Sequence, residues 1–287
     1  MSKLTLRHIE ECINDYDLFL FDLWGVIIEV SASPADILLS INNIIGKKEV
    51  IFLTNAPRPN YIVANNLRNM GIKDITPEKV ITSGDVAQEI IVNFKNNSSL
   101  LPKIYHLGDD RNNDVLRDID HTPTKNIHEA DILVITVYRD EEEDIHEFDE
   151  LLQKAASLPN LLILCANPDK IIPKIGGLRH GPGYFSSLIE QYGGKVVYTG
   201  KPESSIYDMV FERKKNISKG RILMIGDTFE TDILGANRAG IDSALVLTGN
   251  SQYIHKMYDK EEDKLNAIAE YAKSEGYGPT FITKLIK

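Results

Sequence analysis

The feature that most constrains this chain is the alternation of short, continuously apolar runs with amphipathic stretches along all 287 residues. Such alternation is typical of βαβ units, in which helices cover both faces of a parallel sheet and each strand is apolar throughout. The sequence therefore predicts an α/β fold. The predicted strands are Leu18–Asp22, Val50–Thr54, Val80–Thr82, Lys103–Leu107, Ile132–Val137, Leu161–Cys165, Lys195–Tyr198, Ile222–Ile225 and Ser243–Leu247. Helical patterns lie between them, for example at Pro34–Ile45, Asn60–Met70 and Ser204–Arg213.

The charge balance bears on the kind of partner. With 43% apolar and 26% charged residues the composition is that of a globular protein, and the formal net charge is −10. Nucleic acid is therefore not expected as a partner, because a phosphate backbone demands a surface rich in lysine and arginine. A small phosphorylated substrate remains compatible, since a few cations or a metal ion reverse the field inside one pocket.

The cysteines and the N-terminal residues bear on the compartment. Cys12 and Cys165 fit a reducing environment and form no metal-binding pattern. The first fifteen residues lack the apolar core of a signal peptide, and no run approaches the ~18 uncharged apolar residues of a membrane span. A cytoplasmic protein with no membrane partner is expected.

The chain is predicted to contain two domains. Residues 83–192 hold three strand candidates with helices of their own, so we expect an inserted α/β domain there. Residues 1–82 and 193–287 would form the domain that receives it. The insertion includes an acidic run, Asp140–Asp144, which is expected to be a solvated loop or helix face.

Four predicted strands end in polar residues in a way that the others do not. FLFD is followed by LWG, IFLT by NAPRP, VVYTG by KPESS, and LMIGD by TFETD. Open α/β sheets bind ligands at the carboxyl ends of their strands. The four strand ends are therefore expected to share one crevice.

The last of these segments suggests a metal site. Asp227 ends its strand, and Thr231 is placed to cap a helix that runs from Asp232 to a closing glycine at Gly240. Asp232 also suits the first turn of a helix electrostatically, so capping alone is the plainer interpretation of that residue. However, two carboxylates five residues apart, opposite Asp22 on another strand, are the oxygen ligands that Mg²⁺ prefers.

Two further segments suggest phosphate binding. The segment TGKPESS lacks the spacing of a P-loop, but Lys201 beside three acids would neutralise both a carboxylate nucleophile and an incoming phosphate. Thr54 and Asn55 are placed where a hydroxyl and backbone N–H groups can hold phosphate oxygens.

Together, these segments resemble the haloacid dehalogenase (HAD) superfamily. FDLWG resembles its nucleophile motif, Thr54 its second motif, Lys201 its third and GDTFETD its acidic fourth. The order is that of the class IIA branch, which comprises NagD-like and 4-nitrophenylphosphatase-like hydrolases. FLTNAPRP resembles the FLTNN segment of that branch, GKPESSIYD its GKP segment, and LCANPD (Leu164–Asp169) its substrate-facing cap loop.

The resemblance implies a Rossmann-like parallel core with an inserted C2-type α/β cap, and a hydrolase that uses Mg²⁺. The substrate would be a small phosphorylated metabolite, a sugar phosphate or nucleotide, cleaved through an aspartyl-phosphate; a homodimer through the cap stays open. The catalytic residues implied are Asp22 as nucleophile, with Thr54 and Lys201. The metal ligands implied are Asp22, Asp227, Asp232 and the backbone carbonyl of Trp24. The substrate-binding residues implied are Thr54, Asn55, Asn167 and Asp169.

Trp24 departs from the family pattern. Phosphatases of this superfamily have D-x-D-G, and the second Asp protonates the leaving oxygen and then activates water. An indole N–H donates a hydrogen bond but cannot cycle a proton. The expectation is impaired or rerouted acid–base catalysis, worth roughly 10²–10⁴-fold, with metal and phosphate binding kept. Glu29, Asp169 and His180 are the candidate replacement acids.

Two other interpretations stay open. The namesake dehalogenases have D-x-Y-G, also with an aromatic residue, because halide needs no proton; the acidic fourth motif and the cap favour a phosphatase. Alternatively, the chain binds a phosphometabolite without turning it over. The substrate is not determined, since nucleotide, sugar phosphate, phosphoglycolate and pyridoxal phosphate all fit. The segments ANPD and Gly176–Gly183 are candidate rim elements.

Overall fold

The structure is a computed structural model that describes residues 4–28, 33–96, 100–174 and 177–286. Within these residues there are fifteen strands: β1 (Leu6–His8), β2 (Leu18–Phe21), β3 (Glu49–Thr54), β4 (Val80–Thr82), β5 (Lys103–Leu107), β6 (Thr122–Pro123), β7 (Ile132–Ile135), β8 (Arg139–Asp140), β9 (Leu162–Cys165), β10 (Ile171–Lys174), β11 (Gly177–His180), β12 (Val197–Tyr198), β13 (Ile222–Gly226), β14 (Asp242–Val246) and β15 (Phe281–Lys284).

The same residues form nine α-helices, joined by short 3₁₀ helices and one π-helical turn, Phe229–Ile233. The α-helices are α1 (Pro34–Ile45), α2 (Asn60–Met70), α3 (Ser83–Asn96), α4 (Asp149–Ser157), α5 (Pro182–Gln191), α6 (Ser204–Arg213), α7 (Leu234–Ala239), α8 (Gln252–Met257) and α9 (Glu261–Glu275). Three of the helices predicted from the sequence, α1, α2 and α6, are confirmed at both ends.

The chain divides into two compact units, and the first comprises residues 1–54, 61–81 and 201–287. Its sheet has the order β1-β15-β14-β13-β2-β3-β4, and every pair whose register is described is parallel. From β2 the chain builds outward through β3 and β4, then returns to the other side of β2 as β13. Strand order therefore reverses between β2 and β13, which is where open sheets bind ligands.

The second unit, residues 55–60 and 82–200, is inserted in the first and has a parallel sheet of its own. This sheet has the order β12-β9-β7-β5-β6, and a small antiparallel sheet has the order β10-β11-β8. Successive residues of β7 enter two different buried clusters: Leu133 and Ile135 in one, Ile132 and Val134 in the other. Both faces of the sheet are thus covered, as continuous apolar strands predict. The predicted α/β class, a parallel core sheet with an inserted α/β unit, is confirmed.

The boundaries of the insertion differ from the prediction of 83–192. Residues 55–60 belong to the second unit, and that unit continues to Gly200. The cause is β12, which pairs with β9 through Val197–Leu164 and Tyr198–Cys165. The sequence analysis expected the segment VVYTG to be a strand of the core sheet, but it belongs to the second unit's sheet. The prediction was wrong because hydrophobic patterning does not tell which sheet a strand joins.

Two surface expectations can also be compared with the structure. Residues 141–144 of the acidic run are solvent-exposed in a turn, as predicted, whereas Asp140 lies in β8. Arg139 partly balances the charge through ion pairs with Glu143 at 3.1 Å and Glu147 at 2.5 Å. Among the described helices, none has both the length and the apolar character needed to cross a membrane.

Candidate active site

The end of β2 carries Asp22 into the first unit's switch point. All four residues of β2 are buried, and β3 and β13 pair with the strand on its two sides. The backbone N–H of Asp22 donates to the carbonyl of Ile225 at 2.9 Å, so pairing with β13 continues one residue past the end of β2. This bond fixes the main chain from which the Asp22 carboxylate projects.

The loop after β13 brings two more carboxylates to the same place. Asp227 follows Gly226, and the Asp232 carboxylate folds back to accept the backbone N–H groups of Asp227 and Thr228, both at 3.1 Å. Gly226 is required here because a Cβ at that position would overlap the Asp232 side chain. The three acids Asp22, Asp227 and Asp232 converge, with ligand oxygens within 4.8 Å of one another.

The local helix differs from the prediction at its start. Thr231 does not cap it; the π-helical turn begins at Phe229, and Thr228 precedes it. The Thr228 carbonyl accepts the backbone N–H of Asp232 at 3.0 Å. The predicted end is confirmed, because Gly240 closes α7 in the left-handed conformation with φ +72°. Asp232 therefore lies within the turn, and its side chain bonds backward to the strand end.

Lys201 joins two of the carboxylates. Its Nζ lies 2.6 Å from Oδ1 of Asp22 and 2.7 Å from Oδ1 of Asp232, and only 1% of the residue is exposed. Contrary to the sequence analysis, it does not follow a strand of the core sheet; it comes after β12, a strand of the second unit's sheet. Burial opposes its charge, but Asp22 and Asp232 outweigh burial and raise the pKa of Lys201. The lysine is therefore an ammonium at neutral pH.

The cluster carries excess negative charge in a buried place. Burial raises the pKa of Asp22 well above its usual value; Lys201 opposes this rise, and the charges of Asp232 and Asp227 add to it. Burial, reinforced by Asp232, raises the pKa of Asp227 to about 7. If all three carboxylates were ionised beside one ammonium, two negative charges would be unbalanced; such charges are costly to keep out of water, so without a cation the cluster holds protons up to higher pH.

These residues fit a divalent cation. Carboxylate oxygens are the ligands that Mg²⁺ and Ca²⁺ take, and two positive charges would neutralise the cluster. Asp22, Asp227 and Asp232 could therefore hold such an ion together. Trp24, the predicted fourth ligand through its carbonyl, lies in the turn after Asp22 and forms a backbone bridge with Ile28. Its residue surface is 48% exposed, in contrast to the buried acids.

Thr54 ends the neighbouring strand. β3 pairs with β2 in register Phe21–Phe52, so Thr54 lies near the same edge of the sheet as Asp22. Only 1% of Thr54 is exposed. The chain passes from the first unit to the second immediately after this residue.

The other predicted substrate-binding residues lie in the second unit and contact one another. The amide of Asn55 donates to Oδ1 of Asp169 at 2.9 Å, and the backbone N–H of Asp169 donates to Oδ1 of Asn167 at 2.9 Å. The sequence analysis missed Ser83, whose Oγ lies 2.8 Å from the Asn55 carbonyl and 2.5 Å from that of Ala166. Ser83 thus links the backbones that carry Asn55 and Asn167, and a lone serine at the start of a helix gives no sequence signal of such a contact.

The candidate replacement acids are placed as follows. Glu29 lies outside the described residues, as does Gly176 at the start of the predicted rim segment. Asp169 is engaged by Asn55. The ring of His180, at the end of β11, lies 4.3 Å from that of Tyr184. Both Asp169 and His180 belong to the second unit.

A segment after β14, Thr248–Ser251, was also missed by the sequence analysis. The backbone N–H of Asn250 donates to Oδ2 of Asp227 at 2.5 Å, and its side-chain amide donates to the Thr228 hydroxyl at 2.8 Å. The available signal was its position, since LTGNS follows another parallel strand and so reaches the same edge of the sheet.

Comparison with protein families agrees with this architecture. Residues 19–122 match the model of haloacid dehalogenase-like hydrolases, and residues 198–271 match the HAD-hydrolase-like model. An acid sugar phosphatase from Staphylococcus haemolyticus is 26% identical over 254 residues, which cover 84% of this chain and 89% of that protein.

Solved structures with the same fold are also similar over most of the chain. A possible sugar phosphatase of the HAD superfamily from Cytophaga hutchinsonii has a TM-score of 0.77 at 25% identity, and the match covers 99% of both chains. A haloacid dehalogenase-like hydrolase from Brucella suis has a TM-score of 0.73 at 29% identity, covering 85% of this chain and 90% of that one.

The fold and the site define an open-sheet α/β protein with a buried cluster of acids and a lysine at its switch point, and with an inserted α/β unit. The two family models that match residues 19–122 and 198–271, and the solved structures with this fold, show that the chain is similar to the haloacid dehalogenase superfamily of hydrolases. The predicted fold class, a HAD-type core with a cap domain, and the predicted enzyme class, a phosphoric monoester hydrolase, are confirmed.

Proposed function

We propose that this protein is a Mg²⁺-dependent phosphatase of a small phosphorylated metabolite, a sugar phosphate or nucleotide, and that Asp22 is its nucleophile. The observation that carries the proposal is the convergence of Asp22, Asp227 and Asp232 within 4.8 Å of one another. Relatives named as sugar phosphatases support the substrate class.

Asp22 would act through one of its carboxylate oxygens. Lys201 holds Oδ1, and a carboxylate oxygen attacks phosphorus while the bond from phosphorus to the leaving oxygen breaks. Water then attacks the phosphorus of the aspartyl-phosphate, which releases inorganic phosphate and restores the carboxylate. Over the cycle one water is consumed, one of its protons ends on the alcohol, and two easier displacements replace a difficult one.

Two other side chains would hold the group being transferred. Lys201 supplies a buried positive charge, and Thr54 a hydroxyl near the same sheet edge, for the equatorial oxygens. A divalent cation, held by the three carboxylates and the Trp24 carbonyl, would supply further charge stabilisation for these oxygens. Asp232 also keeps Lys201 in place, since its Oδ1 accepts from Nζ at 2.7 Å.

Trp24 sets a limit on the leaving group. Its indole cannot deliver a proton, so an alkoxide would have to leave unassisted unless another acid reaches it. The aryl oxide of an aryl phosphate and the carboxylate of an acyl phosphate are weak bases and leave without a proton. The enzyme is therefore expected to prefer esters whose leaving group is a weak base.

Substrate recognition would fall to the second unit. Asn55, Asn167 and Asp169 form one hydrogen-bonded cluster, and bonds of this kind hold side chains in fixed orientations. Amide and carboxylate groups suit the hydroxyls of a sugar.

The experiment that tests the function is a screen of phosphorylated metabolites and 4-nitrophenyl phosphate, with and without Mg²⁺. Release of phosphate that requires Mg²⁺ and disappears in Asp22→Asn is expected, with 4-nitrophenyl phosphate turned over faster than alkyl phosphates. Equal rates on both ester types would contradict the assignment of the leaving-group preference to Trp24.

Trp24 also favours a second candidate, a protein that binds a phosphometabolite without cleaving it. Tight binding with no turnover of any ester would support this candidate and overturn catalysis. Release of halide from a 2-haloacid would instead support a dehalogenase-like hydrolase.

A further inference from the structure

The segment Thr248–Ser251, called here the clamp segment, bonds to both halves of the site. The hydroxyl of Thr248 donates to the carbonyl of Gly25 at 2.5 Å, and Gly25 follows Trp24 in the turn after β2. The hydroxyl of Ser251 donates to the backbone carbonyl of Asp227 at 2.5 Å, and the N–H of Asn250 binds the Asp227 carboxylate. One short segment thus contacts the loops that follow β2 and β13.

The backbone of the clamp segment also lies tightly between these loops. Gly249 has φ +49°, and a Cβ added there would overlap both Oδ2 of Asp227 and Cα of Gly25. A Cβ on Gly25 would likewise overlap the Asp227 carboxylate. The clamp segment and the loops after β2 and β13 are therefore packed so closely that neither Gly249 nor Gly25 has room for a side chain.

Such contacts bear on metal binding because ligands need fixed orientations. A carboxylate held by a backbone N–H keeps one rotamer, and loss of such outer contacts typically costs 10–100-fold in metal affinity or activity. Thr248 fixes the main chain next to the Trp24 carbonyl, and Asn250 fixes the carboxylate opposite. The four residues of the clamp segment then set the distance between the Trp24 carbonyl and the Asp227 carboxylate.

We propose that Thr248, Asn250 and Ser251 are positioning residues, which hold the Asp227 carboxylate and the Trp24–Gly25 turn at the spacing that one divalent cation requires. This proposal rests on the proposed function for its cation and its reaction. None of the three residues needs to touch substrate or to exchange a proton.

The test compares Thr248→Val, which keeps the shape and removes the hydroxyl, with Thr248→Ser, which keeps the hydroxyl. Calorimetric titration of the metal-free protein with Mg²⁺ is expected to show about tenfold weaker binding for Thr248→Val and wild-type binding for Thr248→Ser. With 4-nitrophenyl phosphate at saturating Mg²⁺, kcat is expected to fall for Thr248→Val while KM stays unchanged.

The matched control is Thr283→Val in β15. Thr283 is buried in the same sheet, and within the described residues its Oγ1 has no hydrogen-bond partner. Removing that hydroxyl should leave Mg²⁺ affinity and kcat at wild-type values. Equal losses in Thr283→Val and Thr248→Val would overturn the proposal, because a general packing effect would explain both.

Other outcomes are equally decisive. Wild-type Mg²⁺ affinity and kcat in Thr248→Val, or an equal loss in Thr248→Ser, would overturn the proposal while the proposed function stands. If wild type binds Mg²⁺ but cleaves no ester, the proposed function fails, and weaker binding by Thr248→Val still supports positioning. Should Thr248→Val not fold, Ser251→Ala is assayed in the same way, with weakened Mg²⁺ binding expected and wild-type binding contradicting the proposal.

Discussion

Among single residues, Trp24 is expected to decide which leaving groups the protein accepts, because the first motif that its segment resembles has a proton-donating Asp at this position. The acids around it are buried, whereas nearly half of the Trp24 surface is exposed. Because Trp24 is exposed and Asp22, the proposed nucleophile, is buried, we expect that the indole can be replaced without disturbing the cluster of acids. The position is therefore suited to a gain-of-function test.

Trp24→Asp should raise the turnover of alkyl phosphates. It restores a carboxyl group that can protonate the leaving oxygen, and such catalysis is worth roughly 10²–10⁴-fold. Turnover of 4-nitrophenyl phosphate should change far less, since that leaving group needs no proton. Steady-state kinetics on both esters, with Trp24→Phe as the control, make the comparison. Unchanged alkyl-phosphate turnover would place the acid elsewhere.

His106 in the second unit is expected to make stability depend on pH. Its ring lies 2.7 Å from the Thr136 hydroxyl, and burial lowers the pKa of His106 to about 4. Above the ordinary histidine pKa of about 6.5 the ring is neutral in both states, so it contributes no pH dependence. Below that pH the unfolded chain takes up a proton that the folded protein excludes, so stability falls until the pH reaches about 4.

The measurement is the free energy of unfolding of wild type and of His106→Gln at three pH values. Between pH 8 and pH 7 the difference between the two proteins should stay constant. At pH 5 the wild type should have lost roughly 2 kcal/mol more than the variant. Parallel pH profiles for the two proteins would show that His106 is protonated equally in both states.

At the scale of elements, the sequence predicts the helices and central strands well. The patterns at α1, α2 and α6 were bounded correctly because amphipathic period and flanking residues agree there. Strands β1 and β15 were not predicted. Each is only three or four residues long with polar members, and such strands form only because the growing sheet offers them an edge.

The antiparallel pair β10–β11 was missed for another reason. The residues of β10 include a proline, which in a sequence argues against a strand. The structure places β10 at the edge of its three-stranded sheet, where a missing N–H breaks no ladder on the open side. Whether a strand lies at the edge or in the centre of a sheet depends on the tertiary structure, and the local sequence pattern does not contain this information.

Turns with left-handed residues yield an element-scale prediction. Gly25 and Gly276 have φ values of +79° and +77°, but a Cβ would overlap Asp227 only at Gly25 and meets nothing at Gly276. Both alanine variants should lose roughly 1–2 kcal/mol of stability from the left-handed backbone. Only Gly25→Ala should also lose Mg²⁺ binding, measured by calorimetry. Equal Mg²⁺ affinity in the two variants would contradict the packing described for the Gly25 turn.

On the scale of the whole molecule, the site was largely predictable because four motifs occur in order along the chain. Asp22, Asp227, Asp232 and Lys201 were identified in this way, and the structure brings them together. The sequence did not predict which strand precedes Lys201 in the fold, because β12 joins the second unit's sheet and not the core sheet. The clamp segment was not predicted either, because three of its four described hydrogen bonds to the site loops involve a backbone donor or acceptor, and backbone groups leave no trace in residue spacing.

The excess negative charge of the site predicts a trade-off between stability and function. In metal-free protein, Asp227→Asn removes a carboxyl group whose ionisation is opposed by burial and by Asp232, and it should raise the free energy of unfolding above pH 7, where that group is charged. Mg²⁺ at a hundred times its Kd should stabilise wild type by about 2.7 kcal/mol and Asp227→Asn much less. Thermal unfolding with and without Mg²⁺ measures both effects. A metal-free variant that is less stable than wild type would contradict the charge argument.

The central claim is that Asp22, Asp227 and Asp232 hold one divalent cation, and anomalous diffraction from crystals grown with Mn²⁺ tests it most directly. One strong peak is predicted at the carboxyl ends of β2 and β13, bonded to carboxylate oxygens and absent in Asp227→Asn. No peak at this position, or a peak that persists unchanged in the variant, would contradict the account.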